Sequence, residues 1–121
     1  MPLMQARDAE ADGLHVVELQ GEIDLARSPD LRRVLENHAK LKCPALALDF
    51  TGVTFIDSSG LATIVEYCRK AAVFGGKFAI FGLNERVRTV FEIVRLDELF
   101  GVHENLEQAR AALLTSGASS A

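Results

Sequence analysis

Strand-like and helix-like runs alternate along most of this chain, and that alternation restricts its fold more than any other feature. The runs at residues 45–50 (ALALDF) and 77–82 (KFAIFG) read as apolar strands, and each is followed by apolar residues at helical spacing. Strands separated by helices join through right-handed crossovers, which build a mostly parallel sheet covered by helices. The fold class is therefore α/β, with a single mostly parallel mixed sheet of about four to five strands and about four helices.

The remaining elements follow from local signals. Residues 14–19 form an early strand, and residues 21–27 the loop after it. A weaker strand within residues 3–7 pairs with it as a hairpin across Asp12-Gly13, a dipeptide that turns easily. Ser28-Pro29 starts a helix, with Ser28 as N-cap and proline at the first position, where its missing N–H costs nothing. Leu31, Val34, Leu35, His38 and Leu41 then recur at helical spacing, and Pro44 stops the run. Residues 53–56 (VTFI) lead into a helix over 57–73 with Leu61, Ile64, Val65, Cys68 and Ala72 on one face, ended by Gly75-Gly76. Asn84 caps another helix carrying Val87, Val90, Phe91 and Val94. Val102-His103 is a brief edge strand, and Leu106, Ala109 and Leu113 mark a last helix. Residues 1–114 are expected to form one domain and 115–121 (TSGASSA) a disordered tail.

Several function classes are disfavoured. Thirteen basic against seventeen acidic side chains give a net charge of -4, and the basic residues are scattered, so no direct nucleic-acid contact is expected. No apolar run reaches the roughly eighteen residues of a membrane span, and the first residues lack a signal-peptide core. A cytoplasmic protein with no membrane insertion is the expectation. Cys43 and Cys68 lack CxxC spacing and read as buried, reduced thiols. His15, His38 and His103 lie far apart in the sequence without HxxxH or HExxH spacing, so no metal site is expected, and His38 reads as structural. Neither a GxxxxGK[ST] loop nor a dinucleotide fingerprint occurs.

The stretch TFIDSSGL, residues 54–61, is the candidate site. Its plain reading is a helix start: Asp57 caps the N–H groups of Ser59 or Gly60, and Gly60 lets helix and strand pack closely. A serine nucleophile is disfavoured, because the GxSxG elbow lacks its first glycine here and no histidine is near in sequence. The chain is therefore not expected to be an enzyme. A helix N-terminus does favour an anion, so a phosphate on Ser58 or Ser59 would be tolerated; these residues alone do not choose between the serines.

Four segments carry a resemblance to a known family: LQGEIDLARSPDLRRVL, ALDFTGVTFIDSSGLATIV, GGKFAIFGLNERVRTVFEIVRLDELF and the closing helix. From about residue 14 to 114 the chain resembles the STAS family, specifically the anti-sigma factor antagonists of bacterial partner-switching systems. The D-S-[ST]-G-L turn and the G-E-[IL]-D segment are its two independent motif matches.

The resemblance implies a module without catalysis or cofactor of its own. It would bind an anti-sigma factor with serine kinase activity and so free a sigma factor. That kinase would phosphorylate the first serine of the turn, Ser58, which blocks rebinding, and a PP2C-type phosphatase would restore the unmodified form. By the same resemblance, Glu22, Asp24, Ser28, Asp57, Ser58, Ser59 and Gly60 form the partner-binding surface. ATP and magnesium would belong to the kinase. The alternative is a STAS subunit of a lipid-transport ABC system or another STAS-regulated complex; the intact Ser58 favours partner switching.

Overall fold

A computed structural model describes residues 4–7 and 13–119. The chain builds β1 (Met4–Arg7), β2 (Leu14–Ile23), α1 (Ser28–Lys40), β3 (Ala45–Ile56), α2 (Ser58–Phe74), β4 (Lys77–Phe81), α3 (Glu85–Ile93), a 3-10 turn (Leu96–Glu98), β5 (Gly101–His103) and α4 (Leu106–Ser119). The five strands form one sheet in the order β1-β2-β3-β4-β5. β1 runs antiparallel to β2, as the hairpin requires, and the other neighbours are parallel. The expected turn at Asp12 lies outside the described residues. α4 continues past Leu114 into the segment expected to be a tail.

Side-chain alternation along the strands divides the interior into two layers. Val17 and Leu19 of β2 with Leu46, Leu48 and Phe50 of β3 face α1, α2 and α3, whose Leu31, Leu35, Ile64, Tyr67, Val87 and Phe91 complete the larger core. Leu14, Val16, Ala45, Ala47, Ala79 and Phe81 point the other way, against Ala109 and Leu113 of α4. Each large aliphatic side chain buried this fully contributes about 1.5–3 kcal/mol, so the sheet is a firm platform for its end loops.

Three sequence expectations about β2, β3 and α2 need correction. The strand expected over residues 14–19 does not stop at Leu19 but continues through Ile23 as β2, and Gly21, at φ +85°, sits inside it between register shifts rather than opening a loop. Glycine accepts that backbone without a Cβ clash, and the bulge bends the strand instead of ending it. Residues 45–56 form one continuous strand, so β2 and β3 extend together. The buried stripe of α2 is Gly60, Thr63, Ile64, Tyr67 and Ala71; Leu61, Val65 and Cys68 are half-buried at its margin, and Ala72 is exposed. The helix is rotated because its first turn presses onto the sheet at Gly60 and α1 packs along its flank.

Candidate functional site

The parallel register of β2 and β3 brings the two sequence motifs together. Glu22 pairs with Phe55 and Ile23 with Ile56, and the Asp57 N–H then donates to the Ile23 carbonyl at 3.1 Å. The loop after β2 and the turn after β3 thus meet at one end of the sheet, where α2 begins. Gly60 permits this contact: a Cβ there would stand 2.8 Å from both Ile23 Cγ2 and Ile56 Cγ1.

Asp57 organises the turn. As expected of the N-cap, its carboxylate accepts from the N–H of Ser59 at 2.9 Å and of Gly60 at 3.3 Å. It also accepts the Ser59 hydroxyl at 2.5 Å. That hydroxyl is the main reason the Asp57 pKa lies below the ordinary carboxylate value; desolvation opposes it, and the N–H groups of Gly60, Ser59 and Leu25 add to it.

Ser28 does not cap α1. Arg27 occupies the cap position without a side-chain bond, and Ser28 is 4% exposed. Its hydroxyl lies 2.8 Å from the Asp24 carbonyl oxygen and 2.7 Å from the Ser59 hydroxyl. The local Ser-Pro signal therefore marked the right place but the wrong bond. Asp24 shapes the loop, its carbonyl accepting from the N–H of Arg27 and Ser28 and its carboxylate from Arg27 N–H at 3.1 Å.

These bonds separate the two serines of the turn. The Ser59 hydroxyl is held between Asp57 and Ser28 in a half-buried position. The Ser58 hydroxyl is exposed and has no hydrogen-bond partner among the described residues. Among the described residues the hydroxyl partners of Ser59 are a carboxylate and another serine rather than the histidine of a Ser-His pair.

The surroundings of Ser58 are acidic and apolar. Glu22 is exposed, Asp24 and Asp57 are part-exposed, and Gly60 lies buried beneath them. Two residues that sequence reasoning passed over stand here: Leu25, 75% exposed at the tip of the loop, and Phe55, 43% exposed beside Glu22. A large apolar side chain between Asp24 and Arg27 was the available signal for Leu25. Phe55 lies in the run 53–56 that leads into the helix, and nothing in that run tells which face of the strand it occupies.

Elsewhere the structure brings together two histidines that are distant in sequence. The rings of His15 and His38 stand edge to face, 5.6 Å between centroids, with His38 Nδ1 2.9 Å from the Val34 carbonyl oxygen. Among the described residues no three metal-capable side chains gather into a site. Cys43 is buried and Cys68 half-buried, both free, and burial raises both thiol pKa values. No helix among the described residues is long and apolar enough to cross a membrane.

Comparison with known proteins places this geometry in context. The STAS domain model matches residues 5–109. The chain is 29% identical over 99 residues to an anti-sigma-B factor antagonist of Listeria monocytogenes, covering 81% of this chain and 86% of that protein. It is 27% identical over 96 residues to a protein of the same name from Staphylococcus aureus, covering 79% and 89%. An anti-sigma factor antagonist from Mycobacterium paratuberculosis superposes with a TM-score of 0.81 at 26% identity, over 91% of this chain and 93% of that one. The phosphorylated form of the Bacillus cell fate determinant SpoIIAA shares the fold, with a TM-score of 0.71 at 19% identity over 91% and 98%.

Proposed function

Because the chain belongs to the STAS domain family, we propose that it acts as an anti-sigma factor antagonist. The unmodified chain binds an anti-sigma factor that is also a serine kinase, and that binding frees a sigma factor in the cytoplasm. The partner transfers a phosphate to Ser58, which ends the association, and a PP2C-type phosphatase removes it. The chain supplies an acceptor hydroxyl and a docking surface, whereas ATP, magnesium and catalysis belong to the enzymes acting on it.

One observation carries this reading: the free, exposed Ser58 hydroxyl beside a Ser59 hydroxyl that is already bonded. A kinase needs an acceptor oxygen that can be reached without dismantling the fold, and Ser58 meets that requirement. The docking surface then comprises Leu25 and Phe55 as apolar anchors, Glu22 and Asp24 around them, and the Asp57–Gly60 turn. Interfaces concentrate their energy in a few such anchors surrounded by polar groups, and the acidic surround suits a partner with basic residues there.

The test is a displacement experiment. Adding the purified chain to a preformed complex of sigma factor and anti-sigma kinase should release the sigma factor, and Ser58→Asp should release far less. A chain that leaves the complex intact, yet joins a transport ATPase assembly, would favour the transport-subunit alternative.

A further inference from the structure

Resting on the reading of Ser58 as phosphoacceptor, we propose that Ser28 is a specificity-determining residue that withholds the adjacent Ser59 hydroxyl from the kinase. The turn offers two serines in succession, and a partner that recognises it approaches both. Only one of them has its oxygen tied to another element of the fold.

A proton count shows how the tie is made. The hydroxyls of Ser28 and Ser59 have one proton each but make three contacts: with the Asp24 carbonyl, with each other, and with the Asp57 carboxylate. The Asp24 carbonyl already accepts two backbone N–H groups, from Arg27 and Ser28, so it needs a third donor least. The Asp57 carboxylate, held ionised by its lowered pKa, draws the Ser59 proton. The Ser28 proton is then shared between the Asp24 carbonyl and the Ser59 oxygen, giving a chain from Ser28 to Ser59 to Asp57. Ser59 Oγ gives its proton to Asp57 and receives one from Ser28, the buried member of the pair.

Phosphoryl transfer from magnesium ATP forms a bond from serine Oγ to the γ-phosphorus and breaks the bond to the bridging oxygen of the departing ADP. The serine proton passes to a base of the kinase. For Ser59 this requires turning the oxygen outward, which breaks both hydrogen bonds and leaves the Ser28 hydroxyl, on a residue only 4% exposed, with the Asp24 carbonyl alone, an oxygen that already accepts two N–H groups. For Ser58 nothing in the turn has to break. The opposite possibility, that Asp57 acts as a base and makes Ser59 the better nucleophile, conflicts with its lowered pKa, which weakens it as a base.

The test maps phosphate by mass spectrometry after incubation with the anti-sigma kinase that co-purifies with the chain and with magnesium ATP. Wild type should show phosphate at Ser58 alone. In Ser28→Ala the ratio of Ser59 to Ser58 phosphate should rise on the order of five-fold, the effect of losing one hydrogen bond. Ser28→Thr, which retains the hydroxyl, should restore the wild-type ratio, with circular dichroism checking that each variant is folded. A purely structural role for Ser28 would change the overall rate and leave the ratio alone. An unchanged ratio in Ser28→Ala, or phosphate at Ser59 in wild type, would overturn the proposal. Absence of phosphate from both serines would instead overturn the phosphoacceptor reading. The hold on Ser59 is then judged by NMR: a slowly exchanging Ser59 hydroxyl proton lost in Ser28→Ala supports it, and equal exchange in both refutes it.

Discussion

The Ser59 hydroxyl donates to the Asp57 carboxylate at 2.5 Å, so the residue that caps α2 also commits one of the two serines it precedes. On the proposed reading of Ser58 as phosphoacceptor, cap and acceptor choice share a single carboxylate. Changing its charge should therefore affect stability and phosphorylation together.

The stability effect has a defined pH window. The folded-state pKa of Asp57 is lowered from the ordinary 3.8, mainly by the Ser59 hydroxyl. Its ionised form thus stabilises the fold above about pH 4, and that contribution is lost as pH falls through the lower folded-state value. Asp57→Asn keeps a capping oxygen but removes the charge. Thermal melts should show a gap between wild type and Asp57→Asn at neutral pH that closes below pH 4; a gap independent of pH would refute the charged cap.

Gly60 is the contact that seats α2 on the sheet. Alanine there would gain about 1 kcal/mol in helix propensity but place a Cβ 2.8 Å from branch carbons of Ile23 and Ile56, which cannot swing aside freely. Overpacking costs about 1–3 kcal/mol, so Gly60→Ala should be destabilised on balance in urea titrations and should bind its partner more weakly. A more stable variant would show that the contact is looser than described.

These two residues also indicate which parts of the fold were legible in sequence. The caps by Asp57 and Asn84 were, because a cap bonds within three residues of itself. Ser28 gave the same local signal as those caps, but its bond to Ser59 spans 31 residues and exists only once β2 and β3 are paired. Gly21 was misread for a similar reason, since whether a glycine ends a strand or forms a bulge in it depends on the neighbouring strand. The choice between Ser58 and Ser59 rests on the family resemblance alone, because the hydroxyl contacts that distinguish the two are encoded by no spacing rule.

Tyr67 provides a probe of the larger core. It is the chain's single tyrosine, and there is no tryptophan. It is 2% exposed, and its hydroxyl has no hydrogen-bond partner among the described residues. Burial, with a smaller contribution from nearby Cys43, raises its pKa well above the ordinary 10.0. Above pH 10 the unfolded chain therefore loses a proton that the folded chain keeps, and stability falls as pH rises. The near-ultraviolet phenolate band should appear together with loss of circular dichroism; a phenolate forming in folded protein near pH 10 would contradict this packing.

The docking surface can be tested apart from the switch. Leu25→Ala removes an exposed anchor and should lower partner affinity about ten-fold or more with an unchanged melting temperature. Glu22→Lys should weaken binding in a salt-dependent way. It is a better charge test than Asp24→Lys, because the Asp24 carboxylate also holds Arg27 N–H. Wild-type affinity in both variants would move the interface away from this loop.

The switch itself admits two mechanisms, melting of the turn or local exclusion of the partner. A negative group near a helix N-terminus is favourable by roughly 0.3–1 kcal/mol, although Asp57 already occupies the Ser59 and Gly60 N–H groups and leaves the phosphate facing solvent. Repulsion from Asp57 is screened at this exposed position. Like charge forced into a docked interface can cost several kcal/mol, and about 1.4 kcal/mol is already ten-fold in affinity. Exclusion should prevail. The most direct measurement is the affinity of the anti-sigma kinase for the chain before and after stoichiometric phosphorylation, with the site mapped and circular dichroism recorded on the same sample. One phosphate at Ser58, an unchanged spectrum and an affinity lower by at least about ten-fold are the expected results. Full affinity in the singly phosphorylated, folded protein would contradict the switch.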